Sequence, residues 1–456
     1  MNAQIGISLL LLGLPLAARG QQPLSLQEAV SRSSATYPAI RSSMEQVAAA
    51  TEGINLARTA FLPRADFLGQ LNRATHNNVF GQLLPQSVIP SMSGPVLGTN
   101  SLNSVWGTAV GTLVTWEPID FGLRKANVET SQAARDRAAA EVNVTKLQVA
   151  IATADAFLTL AAAEQTIVAA RGSVERGRVL DEVIGTLVKN ELRPGVDASR
   201  SQAELALARN LLIQAEQSRD VARAALAQLL PAAPETLSID AAPVVGQPPA
   251  AQPPPANAAQ HPLALVNQAV VTEIRAREKA LNRSYYPRFY LQGADFARGT
   301  GIQGDGGTGG AASGLGPNTH NWALGASVQF PAFDFFSIRA RKGIEAHNER
   351  SAAARYDQTL QDVTGQIAQA KAVLDGARRV AENTPIQLSA ARATEQQATA
   401  RYRAGLANIT EVAEAQRLLT QAEIDDALAR LGVWRALLGV AAAEGDLTPF
   451  LALAAK

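Results

Sequence analysis

The sequence predicts a mainly helical chain with a small β part, written twice as one helix–strand–strand–long-helix–helix unit. Three observations carry that reading. Motifs recur at fixed offsets, two 67-residue stretches have Pro385 as their one proline and heptad-spaced apolar positions in places, and period-two segments lie where the aromatics gather.

Each element follows in order. Residues Ile5 to Ala18 form an apolar run of 14, followed by Ala18-Arg19-Gly20 with small residues where a signal peptidase reads. This predicts a signal peptide over 1–20, although no Lys or Arg precedes the run and a buried N-terminal helix stays open. No Cys follows the cleavage site, so no lipid anchor is expected. A first repeat then spans 21–241, a Pro/Ala-rich, semi-extended linker 242–261, and a second repeat 262–456. Tyr37-Pro38 returns as His261-Pro262 and Phe61-Leu62-Pro63-Arg64 as Tyr285-Tyr286-Pro287-Arg288, both 224 residues on. Trp116 to Phe121 is answered by Phe330 to Phe335 at 214, an offset that also places Leu192 on Leu406 and Asp197 on Glu411.

Within each copy a helix of about 25 residues (Pro38 to Leu62, Pro262 to Tyr286) stops at a proline, which disfavours helical backbone before it. Strands are predicted at about 64–73, 107–116, 288–297 and 322–330. Trp322, Leu324, Ala326, Val328 and Phe330 alternate with small or polar residues, as a strand with one apolar face requires. Between paired strands, Thr75 to Asn103 and Gly299 to Asn321 read as mobile loops rich in Gly, Ser, Asn and Pro. The long helices follow, Leu123 to Lys189 and Ser337 to Arg403, each reaching about 100 Å at 1.5 Å per residue. Such a helix must project into water. After a short turn, helices of about 35 residues return from Val196 to Leu230 and from Thr410 to Ala443.

Composition excludes several functions. Lys+Arg number 41 against 40 Asp+Glu, which removes the basic footprint of a nucleic-acid binder, and no Cys leaves no thiol chemistry or Cys-ligated metal. A mean hydropathy near zero argues against a polytopic helical membrane protein. His76, His261, His320 and His347 show no ligand spacing, with His76 and His320 placed in the loops. The Gly304 to Gly310 run starts no helix, so it makes no phosphate cradle. Neither an enzyme nor a bound cofactor is expected.

The aromatics then separate a soluble coiled coil from a membrane protein. Of 22, 16 fall between Phe61 and Phe121 or between Tyr285 and Phe336, where the strands are. Aromatic girdles and an apolar outer face belong to outer-membrane barrels. Four strands cannot close a barrel and an open edge cannot sit in lipid, so an oligomer must supply the rest. A periplasmic coiled-coil adaptor or structural protein remains the alternative, but it has no use for duplicated aromatic strands.

Five segments carry a family resemblance that covers essentially the whole mature chain in order: Leu24-Ser25-Leu26-Gln27-Glu28-Ala29, Leu62-Pro63, Ile119-Asp120-Phe121-Gly122-Leu123-Arg124, Arg401-Tyr402-Arg403-Ala404-Gly405-Leu406, and Thr410 to Gln416. Through them the sequence resembles the TolC-like outer-membrane efflux proteins. The resemblance implies a homotrimer, three copies giving four strands each to one 12-stranded barrel in outer-membrane lipid, continued by an α-helical barrel across the periplasm. It also implies a passive exit duct for tripartite efflux or type I secretion, partnered by a periplasmic adaptor and an inner-membrane pump. Matched by position, Glu411 and Glu414 look like acidic ring residues of the periplasmic constriction, Asp197 like its gate aspartate and Tyr402 like its gate tyrosine. Three apart on one helix, Glu411 and Glu414 share a face, and threefold symmetry would focus negative potential there. An ordinary solvated face stays open for the pair, as does helix capping for Asp197. The tip turns are assigned to Glu191, Leu192 and Gly195, and to Gly405 and Leu406. Two departures stand out: Ala407 replaces the family's tip arginine, and Glu191 its tip glycine.

Overall fold

The computed structural model describes residues 23–75, 103–249, 257–303 and 307–455. The expected signal peptide, His76 and the rest of the first loop up to residue 102, residues 250–256 of the linker and Gly304 lie outside the described residues. In chain order the elements are α1 (Leu26–Thr36), α2 (Pro38–Thr59), β1 (Arg64–Thr75), β2 (Ser104–Ile119), α3 (Leu123–Lys189), α4 (Gly195–Leu229), α5 (Ala242–Val245), α6 (Pro262–Arg283), β3 (Arg288–Thr300), β4 (Thr319–Gln329), α7 (Phe335–Arg403), α8 (Ile409–Glu444) and α9 (Thr448–Ala454). They form two compact units.

The first unit, Ser42–Val144 with Pro262–Gln361, holds a four-stranded antiparallel sheet in the order β1-β2-β3-β4. Register assigns the faces. Thr112 opposes Phe67 and Asp295, and Asp295 opposes Trp322, so these four residues share one face. The same face carries Leu71, Val110, Val114, Trp116, Leu291, Leu324 and Val328. The opposite face carries Asp66, Gln70, Thr115, Arg288, Tyr290, Gln292, Asn321 and Ser327. On the apolar face Phe67, Trp322 and Leu324 are 77, 74 and 80% exposed, which water would penalise across a contiguous patch. Among the described residues β1 pairs only with β2 and β4 only with β3, leaving one free edge on each. Gly111 is where two strands approach closely: a Cβ there would lie 2.3 Å from that of Phe296.

The second loop is shorter than its composition suggests. Gly299 and Thr300 extend β3 opposite Thr108 and Gly107, and Thr319, His320 and Asn321 begin β4, because the long β2 and β3 offer backbone partners that outweigh a loop-like composition. His320 therefore sits in a strand, not a loop, with Nε2 2.6 Å from Asp295 Oδ1. At the other end of the sheet an elbow turns β2 into α3. Asp120 accepts bonds from the Gly122 and Arg124 amides, while Phe121 and Gly122 take left-handed φ of 51° and 91°. The buried Arg124 returns a 3.0 Å bond to Asp120, donates to the Ala60 carbonyl and lies 4.8 Å over the Phe61 ring. Around this elbow Phe121 meets Tyr286 and Phe289, and Phe335 meets Tyr285 and Phe336.

The second unit comprises Met1–Arg41, Thr145–His261 and Asp362–Lys456. Its core gathers Leu26 and Val30 of α1, Phe157, Leu158 and Leu160 of α3, Leu226 of α4, Leu374 of α7, Trp434 and Leu438 of α8, and Phe450 of α9. The Ser33 and Thr153 hydroxyls, both fully buried, meet at 2.9 Å inside it. The described linker is not semi-extended throughout: α5 inserts Val244 into this core and a 3₁₀ turn forms at Ala258–Gln260, while ahead of the linker Leu24 bridges to Ile239.

Candidate functional site: the paired helical turns

The second unit also contains both turns between long and returning helices. They are built alike. After α3 the Leu192 amide bonds the Leu187 carbonyl and Glu191 bonds Val188; after α7 Leu406 bonds Arg401 and Gly405 bonds Tyr402. This is a Schellman closure, which needs a left-handed residue at its corner. Gly405 meets that demand with φ 76°, and Glu191 meets it with φ 56° despite its side chain. Gly195, assigned to the turn from sequence, is instead the first residue of α4.

An apolar cluster of Leu180, Ile184, Tyr402, Ala407, Ile409 and Val412 packs under these turns. Tyr402 is 2% exposed, and its hydroxyl donates to Asp197 Oδ2 at 3.3 Å. Two residues singled out from sequence are thus brought together. Asp197 stands in the first turn of α4, where the helix dipole favours a negative charge, and the N-cap position of α4, Pro194, supplies no side-chain bond. Burial, with the Asp197 carboxylate beside it, pushes the Tyr402 hydroxyl above the ordinary phenol range, against the opposing charge of Arg193. A raised value keeps the hydroxyl a donor below its ordinary pKa; the bond is lost only as pH climbs through the raised one.

Glu411 and Glu414 lie elsewhere on α8, both exposed on one face. With Arg417 and Leu418 they line a groove bounded by Thr394 and Ala398 of α7. Asn408 caps α8 by accepting from the Glu411 amide at 3.0 Å, which fixes the helix start three residues before that carboxylate. The Arg401 guanidinium stands 3.9 Å from Glu411 and also donates to the Leu406 carbonyl. Glu411 therefore has a cationic neighbour, whereas among the described residues no ion pair reaches Glu414. Further along, Arg417 grips Glu204 of α4 with bonds of 2.7 to 3.0 Å, and Arg176 of α3 reaches Glu423 and Thr420 of α8. Sequence reasoning missed these links because the partners lie more than 200 positions apart. Leu192, Val196 and Leu406 are left exposed at the turns.

This arrangement offers a hydrogen-bonded pin, an acidic face and an apolar tip. Among the described residues no group of His, Asp and Glu is arranged to hold a metal ion.

The model of the outer membrane efflux protein family matches residues 29–231 and 265–446. No curated protein shows significant similarity to the chain. Among solved structures, the outer-membrane channel OprN superposes with a TM-score of 0.71 at 20% identity, over 92% of this chain and 89% of its own. The Campylobacter jejuni CmeC outer membrane channel gives 0.70 at 14%, over 98% and 94%. The Neisseria gonorrhoeae MtrE outer membrane channel, solved in its open state, gives 0.71 at 17%, over 92% and 89%. At these identities the likeness is one of fold, and the family match covers most of both repeats. The chain belongs to the outer membrane efflux protein family.

Proposed function

We propose that three copies of this chain form one outer-membrane exit duct, through which a periplasmic adaptor and an inner-membrane pump deliver cargo in tripartite efflux or type I secretion. The open four-stranded sheet carries this reading: its β1 and β4 edges are unpaired and one face is apolar and exposed. Lipid accepts such a face but not such edges, so each β4 edge must find the β1 edge of another copy, and three copies close 12 strands. The polar face then lines the lumen. A periplasmic coiled coil would leave the exposed Phe67, Trp322 and Leu324 without a purpose.

At the periplasmic end, the Tyr402–Asp197 bond pins α7 to α4 in a closed constriction, and Glu411 and Glu414 gather as six carboxylates around the axis. Such a ring favours cations and repels anions. The exposed Leu192, Val196 and Leu406 supply apolar contacts for the adaptor. No chemistry is performed by the duct, and the choice of cargo rests with the pump. Fractionation tests the reading: the protein is expected in the outer membrane and, after detergent extraction, at the mass of a trimer. Recovery as a monomer in the soluble periplasmic extract would refute it.

A further inference from the structure

We propose that Arg193 is the lock of the closed constriction in this chain, gripping Tyr402 from the first turn, where the Ala407 side chain of the second turn has no polar atom to do so. The proposal rests on the constriction reading above and adds a residue to it. Arg193 Nη2 donates to the main-chain carbonyl of Tyr402 at 2.8 Å, and its guanidinium carbon stands 4.5 Å from the centre of the Tyr402 ring. Together with the hydroxyl bond to Asp197, Tyr402 is held at three points by Arg193 and the first turn of α4: carbonyl, ring face and hydroxyl.

The chemistry suits an arginine. The Tyr402 carbonyl already accepts the Gly405 amide, so Arg193 takes its second lone pair, at the C-terminal end of α7 where the helix dipole favours a cation. A planar guanidinium can donate at its edge while its face lies on an aromatic ring; an ammonium cannot do both. Pro194 follows directly and disfavours helical backbone at Arg193, which keeps that residue out of α4 and facing the turn. Ala407, by contrast, is a buried methyl group in the cluster under Tyr402. Its side chain has no donor for a carbonyl.

The test is single-channel conductance of the purified full-length protein in planar bilayers, comparing wild type with Arg193→Ala, Arg193→Gln, Arg193→Lys, Tyr402→Phe and Asp197→Asn. Loss of the lock is expected to raise open-state occupancy about tenfold in Arg193→Ala and Arg193→Gln, which corresponds to about 1.4 kcal/mol. Arg193→Lys is expected to fall between these and wild type, because it keeps a donor and loses the stacked plane. If Arg193→Ala does not assemble, Arg193→Gln, which retains the stem, decides. Opening by Tyr402→Phe and Asp197→Asn with wild-type behaviour of both neutral Arg193 variants overturns the proposal and leaves the constriction standing. Wild-type behaviour of all the variants overturns the constriction, and the proposal with it.

Discussion

Glu191 and Gly405, 214 positions apart, hold the same left-handed backbone at the ends of α3 and α7. Both turns close with the same bonds, so one turn design serves two residues of very different cost. A side chain at positive φ costs about 1 kcal/mol relative to glycine. Glu191→Gly is expected to raise the melting temperature of the second unit's turns slightly, and Gly405→Ala to lower stability by about 1 kcal/mol. Hydrogen exchange at the Leu192 and Leu406 amides reads each turn separately. Equal protection in wild type and both variants would contradict the equivalence.

The Asp120–Arg124 pair governs the elbow between β2 and α3. Burial alone would push the Asp120 carboxyl up, but bonds from the Arg124 backbone and side chain and the Gly122 amide, with the Arg124 charge, bring it below its ordinary 3.8. A depressed value means the contribution is full above the ordinary pKa and is lost as pH falls through the lower folded one. Asp120→Ala strands a buried guanidinium, and a loss of about 3–5 kcal/mol is expected. Chemical denaturation from pH 7 down to pH 3 should show wild type losing stability in acid and the variant losing little more.

Glu411 and Glu414 are expected to contribute unequally to cation block. Arg401 stands 3.9 Å from Glu411 and offsets part of its charge. Glu414→Gln should therefore weaken block by a multivalent cation more than Glu411→Gln, with the double variant raising the half-blocking concentration about tenfold. Block unchanged in the double variant would remove both residues from the constriction.

The cross-helix link between Arg417 and Glu204 should act as a second restraint above the turns. Its carboxylate is largely shielded while its guanidinium is open to solvent, so a contribution of about 1 kcal/mol is expected. Glu204→Gln should raise the open fraction about fivefold in the same conductance measurement. An open fraction equal to wild type would show that α4 and α8 are not restrained there.

Much of this architecture was legible because it is periodic. A proline-free run with heptad spacing from Val144 to Ala161 placed α3 at Leu123–Lys189 and alternation placed β4 near Trp322, since a periodic pattern leaves few other ways to bury its apolar side. Short elements were not legible. α1 and α9 hold their places through Leu26, Val30 and Phe450 packing into a core drawn from five other helices, which no local pattern announces. His320 was misplaced because glycine-rich composition hides a ladder that depends on β3. At the turns, the Asp197 and Tyr402 positions could be read from motif, whereas the grip of Arg193 on Tyr402 is a contact across 209 positions that only folding brings about.

Closure of the sheet between copies is tested most directly by cysteine crosslinking, for which a chain without native cysteine gives a clean background. Gly69→Cys on β1 would be combined in turn with Leu324→Cys, Ala326→Cys and Val328→Cys on β4, all on the apolar face. Within one copy these edges are three strand spacings apart, about 14 Å, too far for a disulfide. Oxidation of outer membranes is predicted to give, for at least one pair, covalent dimer and trimer and nothing larger. Monomer alone from every pair, or a ladder extending beyond the trimer, would contradict a barrel closed by three copies.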